Sequence, residues 1–289
     1  MRELAEFAPA KVNLTLHVLG RRSDGYHEIE SLVAFADVGD RLTFVPGGAL
    51  ALDVTGPTAV AAGAGGDNLV LTAARALFER VAGLRMGQFV LDKQLPVAAG
   101  VGGGSSDAAA ALRLIARHNN LPIDDTRMRA AAEATGADVA VCLDPKARMM
   151  RGIGEILSEP IALPELPAVL VNPGVAVPTK DVFAALAAPS LKGPAQPDDF
   201  IAIDADAASL VSLLTARRND LEIPAIRIQA IIADVLKELQ ECSNCLLARM
   251  SGSGATCFGL FGSAGTAKEA AKRLQAAHAG WWVRATTFR

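Results

Sequence analysis

Cysteine and histidine are scarce in this chain, and their scarcity limits metal and redox chemistry. The 289 residues include four cysteines and four histidines. One Cys-x-x-Cys pair, Cys242 and Cys245, could be half of a zinc site or a redox pair, but no second pair or suitably spaced histidines complete a tetrahedral set. Cys142 and Cys257 lie in apolar stretches, where a free thiol behaves as a small hydrophobic residue. We therefore expect neither a structural zinc site nor dithiol redox chemistry.

Long apolar runs and an excess of basic charge are also missing. No apolar run approaches the roughly 20 residues of a membrane-spanning helix, and Glu3 and Glu6 interrupt the start, which argues against a secretory signal. The formal net charge of −3 and the pI near 5.9 leave no broad basic surface for a nucleic acid. We expect a cytoplasmic protein that binds neither membrane nor nucleic acid. With 51% hydrophobic residues and 20% charged residues, the chain should form one large domain or two ordinary ones.

Hydrophobic periodicity predicts a mixture of strands and helices. Val12, Leu14, Leu16 and Val18 alternate with polar residues, so Lys11 and Asn13 share one face of a strand. Further strands are predicted over 26–35, 41–45, 50–54, 89–93, 168–172, 246–250, 255–261 and 281–288, and helices over 70–81, 108–117, 128–135, 228–239 and 266–278. Residues 188–199 are predicted to be a loop. The prolines between 160 and 167 mark a boundary, which divides the chain into domains 1–160 and 161–289 of α+β class.

A glycine-rich segment that runs into an alanine-rich helix is the most informative feature. It consists of Pro96, Val97, Ala98, Ala99, Gly100, Val101, Gly102, Gly103, Gly104, Ser105 and Ser106. Glycines let the backbone approach a bulky anion, Ser105 or Ser106 is a natural N-cap, and the free amides of the following helix would point at bound phosphates. The segment lacks the Gly-Lys-Ser/Thr ending of a P-loop and the pattern of a dinucleotide-binding turn. The alternative interpretation is a tight turn before a buried helix.

Three segments together resemble the GHMP superfamily of small-molecule kinases: residues 9–14, 96–108 and 250–256. More narrowly, residues 20–28, 136–139, 152–155 and 219–222 resemble the 4-diphosphocytidyl-2-C-methyl-D-erythritol kinases. The resemblance spans nearly the whole chain. It implies a two-domain GHMP-kinase fold, with an N-terminal ribosomal-protein-S5-like domain that carries the glycine-rich segment and a C-terminal ferredoxin-like α/β domain.

The resemblance also implies an activity, the ATP-dependent phosphorylation of a hydroxyl of 4-diphosphocytidyl-2-C-methyl-D-erythritol in the non-mevalonate route to isoprenoid precursors. Lys11 and Asp138 are the implied catalytic pair: Asp138 accepts the proton of the attacking hydroxyl, and Lys11 orients it and offsets negative charge. Without the resemblance, the favoured interpretations are a solvated strand lysine for Lys11 and a helix cap for Asp138.

The resemblance assigns the binding residues as well. The glycine-rich segment, Asn68 and Lys93 are implied to bind ATP, the last two around the adenine; the alternatives are a helix cap for Asn68 and a surface lysine for Lys93. The small-molecule substrate is assigned to Asn13, Tyr26, His27, Thr179 and Phe183. The Tyr26 ring would stack on cytosine, with Phe183 as the opposite wall or, alternatively, as a helix core residue. Magnesium is implied by the chemistry, and Ser106 is a possible ligand.

The chain departs from the pattern of this family at four positions. Ala98 and Ala99 stand where the family often has glycine, Ala140 where it commonly has proline, and Lys180 where an apolar residue or proline would be unsurprising. Two rival functions stay open: another GHMP-type kinase acting on homoserine or mevalonate, and a nucleotide-binding regulator without turnover. Tyr26, His27 and the run 136–138 argue against the first rival, and Lys11 together with Asp138 argues against the second. The oligomeric state is left open.

Overall fold

The chain forms two compact units, and each unit is built from segments that are not contiguous in sequence. The structure, a computed structural model, describes residues 3–191, 193 and 206–289. Within those residues, unit 1 takes the chain up to residue 11 together with 38–97 and 102–145, and unit 2 takes 12–37, 98–101 and the rest of the chain from 146. Most of the predicted loop at 188–199 lies outside the described residues.

Unit 1 places helices against a small sheet. Its elements are β1 (Leu4–Asn13, up to residue 11), the second half of β3 (His27–Pro46), β4 (Ala51–Thr55), α1 (Ala59–Ala62), α2 (Leu69–Arg80), β5 (Gly87–Asp92), α3 (Gly103–Asn119), α4 (Thr126–Thr135) and α5 (Val139–Cys142). β5 pairs antiparallel with β3, from Arg41 opposite Asp92 to Pro46 opposite Gly87, and parallel with β4. α2 packs against α3 and α4. α3 is buried along nearly its whole alanine-rich length, because small side chains allow close packing on several sides.

Unit 2 contains a βαββαβ arrangement. Its elements are β2 (His17–Arg21), the first half of β3, β6 (Arg148–Gly152), β7 (Ile156–Leu157), β8 (Leu166–Asn172), α6 (Thr179–Leu186), α7 (Ala207–Thr215), α8 (Glu222–Ile228), α9 (Ile231–Gln240), β9 (Cys245–Met250), β10 (Cys257–Phe261), α10 (Ala264–Ala277) and β11 (Trp282–Phe288). The strand order β11-β8-β10-β9, all antiparallel, together with α9 and α10, is the ferredoxin-like topology. The predicted α+β class and the ferredoxin-like C-terminal part are confirmed.

Several predicted boundaries are wrong, for identifiable reasons. The strands predicted at 26–35 and 41–45 are one strand, β3, since the chain does not turn at Asp37 to Asp40. The helical stripe at 228–239 is divided between α8 and α9, with Gln229 in extended conformation. α3 begins at Gly103, earlier than predicted, and its N-cap position is Gly102 and not Ser105 or Ser106.

The interior of unit 2 is mainly apolar, and no described helix could cross a membrane. In unit 2, branched residues of α9 such as Ile232, Val235 and Leu239 pack with Val171, Met250 and Cys257 of the sheet. Among the residues that the structure describes, no helix is both long enough and apolar enough to cross a bilayer.

Candidate active site

Lys11 and Asp138 form an ion pair within unit 1. Lys11 Nζ lies 2.8 Å from Asp138 Oδ2, and the lysine side chain is only 4% exposed while the aspartate is 38% exposed. The solvated-lysine alternative is therefore wrong. Asp138 does stand at the N-cap position of α5, but its side chain makes no capping hydrogen bond. A buried cation beside a half-exposed carboxylate is the arrangement expected of an acid–base pair that solvent or substrate reaches from the carboxylate side.

The start of α3 lies against the stem of Lys11. Gly102 adopts a left-handed conformation with φ +59°, and the Ser106 amide donates to its carbonyl at 2.8 Å as the first helical bond. A Cβ atom at Gly102 would lie 3.1 Å from Lys11 Cβ and Cε, so a larger residue would crowd the lysine as well as strain the backbone. The first amides of a helix have no partner within the helix, and here they follow Gly102 directly. Lys11 and the free amides at the start of α3 are thus adjacent.

A buried cluster of charges supports the same helix terminus. Lys93 Nζ donates to Asp107 Oδ2 at 2.6 Å and also to Asp40 Oδ2, and all three side chains are buried. Asp40 Oδ1 in turn accepts from the amides of Gln94 and Leu95 at 2.6 and 2.8 Å. A Cβ at Gly103 would come within 3.1 Å of Lys93 Nζ, so the ammonium lies directly under the first residue of α3.

The cluster holds one more carboxylate than ammonium groups, and this affects the protonation of Asp107. Burial raises the pKa of Asp107 to about 7, Lys93 opposes that increase, and Asp40 adds to it. Burial alone would lower the pKa of Lys93, but the carboxylates of Asp107 and Asp40 outweigh burial and leave it raised. The Lys93 ammonium therefore stays charged, and the pKa of the Asp107 carboxyl lies well above its ordinary value.

Two oxygen atoms in the first turn of α3 have no hydrogen-bond partner among the described residues. They are Ser106 Oγ and Asp107 Oδ1, both fully enclosed. Buried polar atoms are nearly always paired, so an unpaired hydroxyl and an unpaired carboxylate oxygen on consecutive residues need an explanation. Oxygen ligands are the ones that Mg²⁺ prefers. Within the described residues, no group of three or more histidine, cysteine, aspartate or glutamate side chains could hold a metal ion by itself.

Asn68 and Lys93 both make polar contacts within unit 1. Asn68 is the N-cap of α2: its Oδ1 accepts from the Val70 amide at 3.0 Å and its Nδ2 donates to the Gly63 carbonyl at 2.8 Å. The helix-cap alternative is confirmed. Lys93 is 3% exposed and its ammonium is occupied by two carboxylates, so the surface-lysine alternative is wrong. A direct contact of either residue with ATP stays a prediction.

Residues 98–101 of the glycine-rich segment form hydrogen bonds at a second glycine turn in unit 2, residues 251–254. Ser251 Oγ donates to the Gly100 carbonyl at 2.8 Å, and the Thr256 amide donates to the Ala99 carbonyl at 3.1 Å. Gly100 has φ +76°, and a Cβ there would lie 2.4 Å from the Ser251 carbonyl oxygen. Only glycine permits this approach. The backbone amide of Asn13 also donates to Ser251 Oγ, at 3.1 Å.

Asn219 and Glu222, to which the sequence analysis assigned no individual role, hold the second glycine turn through hydrogen bonds. Asn219 Nδ2 donates to the carbonyls of Met250 and Gly252, both at 2.8 Å, and Glu222 Oε2 accepts from the Met250 amide at 2.8 Å. Burial raises the pKa of Glu222, while the Met250 amide opposes the increase. Residues 219–222 are one of the segments that resemble the family, and this resemblance was the only feature of the sequence that pointed to them.

The predicted substrate residues are arranged in unit 2 around one ring pair. His27 and Phe183 stack with ring centroids 4.7 Å apart and planes at 27°. No base fits between rings in contact, so Phe183 faces His27, and a base stacked against either ring must use an outer face. Tyr26 is 61% exposed, with its ring open to solvent. Phe183 also packs against the core of unit 2, which bears out part of the helix-core alternative.

The remaining predicted substrate residues make polar contacts in unit 2. Thr179 Oγ1 and Ser253 Oγ are 2.8 Å apart, which ties the start of α6 to the second glycine turn. Asn13 Nδ2 donates to Ser31 Oγ at 2.7 Å. Burial, with a smaller contribution from Arg21, lowers the pKa of His27, so this imidazole is neutral at neutral pH.

Comparison with known proteins identifies the family. The GHMP kinases N terminal domain matches residues 68–144, and the GHMP kinases C terminal domain matches residues 202–280. A 4-diphosphocytidyl-2-C-methyl-D-erythritol kinase of Methylobacterium radiotolerans is 57% identical over 293 residues, with 100% of both chains covered. A crystal structure of 4-(cytidine 5'-diphospho)-2C-methyl-D-erythritol kinase is 34% identical, with a TM-score of 0.78 and 99% of both chains covered.

A structure of homoserine kinase from Cytophaga hutchinsonii has a TM-score of 0.73 at 18% identity, covering 99% of this chain and 95% of that one, which is evidence for a shared fold only. The fold therefore does not separate the two substrate classes, whereas the sequence identity over the full length does. The chain belongs to the GHMP kinases and, within them, to the family of the 4-diphosphocytidyl-2-C-methyl-D-erythritol kinases.

Proposed function

We propose that this chain transfers the γ-phosphate of ATP to a hydroxyl of 4-diphosphocytidyl-2-C-methyl-D-erythritol, a step of the non-mevalonate route to isoprenoid precursors. The observation that carries the proposal is the Lys11–Asp138 ion pair beside Gly102 at the start of α3. Full-length identity to kinases of this name supports the choice of substrate. We place the reaction in the cytoplasm and expect no nucleic acid or membrane partner.

In this mechanism Asp138 is the general base and Lys11 its cationic partner. Phosphoryl transfer needs little covalent chemistry from the protein, so the side chains contribute orientation and charge. Asp138 Oδ1 or Oδ2 accepts the proton of the attacking hydroxyl, and the exposed side of this carboxylate is where the hydroxyl would arrive. Lys11 Nζ, at 2.8 Å, fixes the orientation of the carboxylate and offsets the negative charge that accumulates during transfer.

The glycine-rich segment is assigned to the phosphates of ATP. Backbone amides at the start of α3 and the positive end of its dipole favour an anion at this point, without a lysine of the P-loop kind. Ser106 Oγ and Asp107 Oδ1, which have no hydrogen-bond partner among the described residues, are the oxygen atoms that would hold a magnesium ion. When bound, Mg²⁺ would neutralise charge on the phosphates.

The cytidine end of the substrate is assigned to unit 2. Tyr26 presents an exposed ring for stacking, and the His27–Phe183 pair presents an outer face. Asn13 and Thr179, both with polar groups at the second glycine turn, are assigned to polar contacts of the substrate.

The test is Asp138→Asn, assayed for ATP consumption with the cytidyl erythritol substrate. Loss of a positioned base should lower kcat by about 10²- to 10⁴-fold and leave the Kd of ATP within a few-fold. Asp124→Asn, an exposed aspartate elsewhere in unit 1, is the matched control and should keep full turnover. Unchanged kcat in Asp138→Asn would remove this residue from the mechanism.

Homoserine and mevalonate, run beside the cytidyl erythritol substrate, separate the rival kinases. Turnover of either one in place of the cytidyl substrate would overturn the substrate assignment. ATP binding without turnover of any of the three would favour the nucleotide-binding regulator.

A further inference from the structure

Arg113 connects the elements that carry the catalytic pair. This residue lies on α3, and its guanidinium makes three contacts in unit 1: Nη1 donates to the Cys142 carbonyl at 2.7 Å, Nη2 to the Phe7 carbonyl at 3.1 Å, and Nε to Glu6 Oε2 at 3.2 Å. Its side chain is 13% exposed. A single planar group is therefore bonded to β1 and to the end of α5 at the same time.

Those two elements are the ones that position Lys11 and Asp138. Phe7 precedes Lys11 within β1, and Cys142 ends the single helical turn that Asp138 begins. α5 has four residues, too few to be stable without tertiary contacts. Its last carbonyls have no partner within the helix, so a donor from α3 is needed to hold it. Arg113 supplies that donor, together with the cationic charge that a helix carboxyl end favours.

The electrostatic environment of Cys142 shows that the same charges meet at this point. Burial raises the pKa of the Cys142 thiol to about 12; Asp138 raises it further, and Lys11 and Arg113 lower it. The thiol is thus within the electrostatic reach of the ion pair and of the guanidinium. A displacement of α5 by loss of the Arg113 contact would be transmitted to Asp138 through less than two turns of backbone.

We propose that Arg113 is a positioning residue, which holds Asp138 against Lys11 by fixing both β1 and α5 to α3. This inference rests on the proposed function, because it gives Arg113 a purpose only if the ion pair is catalytic. The rigid fork of the guanidinium is essential to it, since a lysine at this position has one nitrogen and cannot bond both carbonyls in the same geometry.

Arg117 provides a matched control on the same helix. Its Nη1 donates to Glu6 Oε1 at 2.8 Å and its Nη2 to the Ala5 carbonyl at 2.9 Å, and its side chain is 48% exposed. These contacts end on β1, as two of the three Arg113 contacts do. A variant of Arg117 therefore loses a similar charge and a similar link to β1, while the Arg113 link to α5 is kept.

The experiment compares kcat, KM for ATP and the free energy of unfolding in Arg113→Met, Arg113→Lys and Arg117→Met. Turnover is expressed per ATP-binding site, counted by calorimetric titration, so that unfolded protein does not enter the rate. Arg113→Met should lower kcat about 10- to 100-fold with KM for ATP nearly unchanged, since a misplacement of about 1 Å costs up to this factor. Arg113→Lys should fall in between, and Arg117→Met should keep kcat within about twofold.

A double variant with Asp138→Asn distinguishes failure of this inference from failure of the proposed function. In the Asp138→Asn background the residual rate, followed with radiolabelled ATP, should not fall further when Arg113→Met is added, because the group being positioned is gone. If Asp138→Asn lowers kcat while Arg113→Met and Arg113→Lys both keep it within about twofold per ATP site, Arg113 is a stability residue and the inference is overturned. If Arg113→Met does not fold, Arg113→Lys decides by the same criterion.

Discussion

At the scale of single residues, Ala98 shows the conformational cost of an alanine in the glycine-rich segment. It has φ +50°, in the left-handed region, where an L side chain costs about 1–2 kcal/mol. The neighbouring Ala99 has no such conformation. The alanine at position 98 therefore has a strained backbone, whereas the alanine at position 99 does not.

We expect Ala98→Gly to raise the free energy of unfolding by about 0.5–1 kcal/mol, because relief of strain exceeds the entropic cost of glycine. Ala99→Gly is the control and should lower stability by a similar amount. Both are measured by urea denaturation at constant m-value. A destabilised Ala98→Gly would mean that the strain is not relieved at this position.

The residues of the ion pair were predictable, and the residues around them were not. Lys11 and Asp138 are far apart in sequence, and only the resemblance to a family connected them before the structure placed them 2.8 Å apart. Asp40, Asp107 and Arg113 carry no local pattern, since a charged residue in a strand or helix is usually solvated. Burial and pairing are properties of the assembled unit, and no short-range signal reveals them.

At the scale of elements, the first turn of α3 is where sequence reasoning and structure differ most. Serine is the better N-cap in isolation, so the sequence favours a helix that starts at Ser105 or Ser106. The helix instead starts at Gly103, because Gly102 accepts a left-handed conformation and Lys93 occupies the space under Gly103. The alanine-rich pattern was enough to predict that a helix exists here. The residue at which it begins depends on the tertiary contact of Lys93 with Asp40 and Asp107.

The Lys93 cluster at this helix terminus predicts a pH dependence of stability. The folded pKa of Asp107, about 7, lies above the ordinary value of 3.8. A raised carboxyl pKa stabilises the fold fully below about pH 4, and that contribution is lost as the pH rises through about 7, with a slope of at most about 1.4 kcal/mol per pH unit. Lys93, with its pKa also raised, contributes no slope in this window.

Asp107→Asn should remove this slope between pH 4 and 7, which urea denaturation at several pH values measures directly. Asp92→Asn, at the end of β5 in the same unit, is the control and should keep it. The same slope in Asp107→Asn as in the unmodified protein would assign it to other groups.

At the scale of the whole molecule, the two units do not divide at the single predicted boundary at residue 160, because each unit contains segments from different parts of the chain. Residues 12–37 precede that boundary but belong to unit 2. They are bound there by buried contacts: Arg249 Nη1 donates to the Leu14 carbonyl at 2.8 Å, and the Val18 amide donates to Asp220 Oδ2 at 2.8 Å. Prolines in the sequence indicate where one helix or strand ends. They do not indicate which elements belong to the same unit, because that depends on contacts between residues far apart in sequence.

Expressed alone, a fragment of residues 161–289 should therefore unfold without a cooperative transition, or at a much lower urea concentration than the full chain. It lacks β2 and the first half of β3 and leaves the Arg249 guanidinium without the Leu14 carbonyl, and a buried donor without its partner costs about 1–3 kcal/mol. Circular dichroism in urea measures this. A two-state transition at the midpoint of the full chain would show that 161–289 is autonomous.

The bond between Ser251 Oγ and the Gly100 carbonyl spans 151 positions of sequence, and this sets the order of events during translation. Gly100 leaves the ribosome long before Ser251, and in a nascent chain its carbonyl has nothing to accept from until most of the protein has been synthesised. If the glycine-rich segment binds ATP as proposed, the capacity to bind nucleotide is consequently acquired late. An arrested chain that ends before Ser251 should lack the hydrogen bond that holds Gly100 in its native conformation.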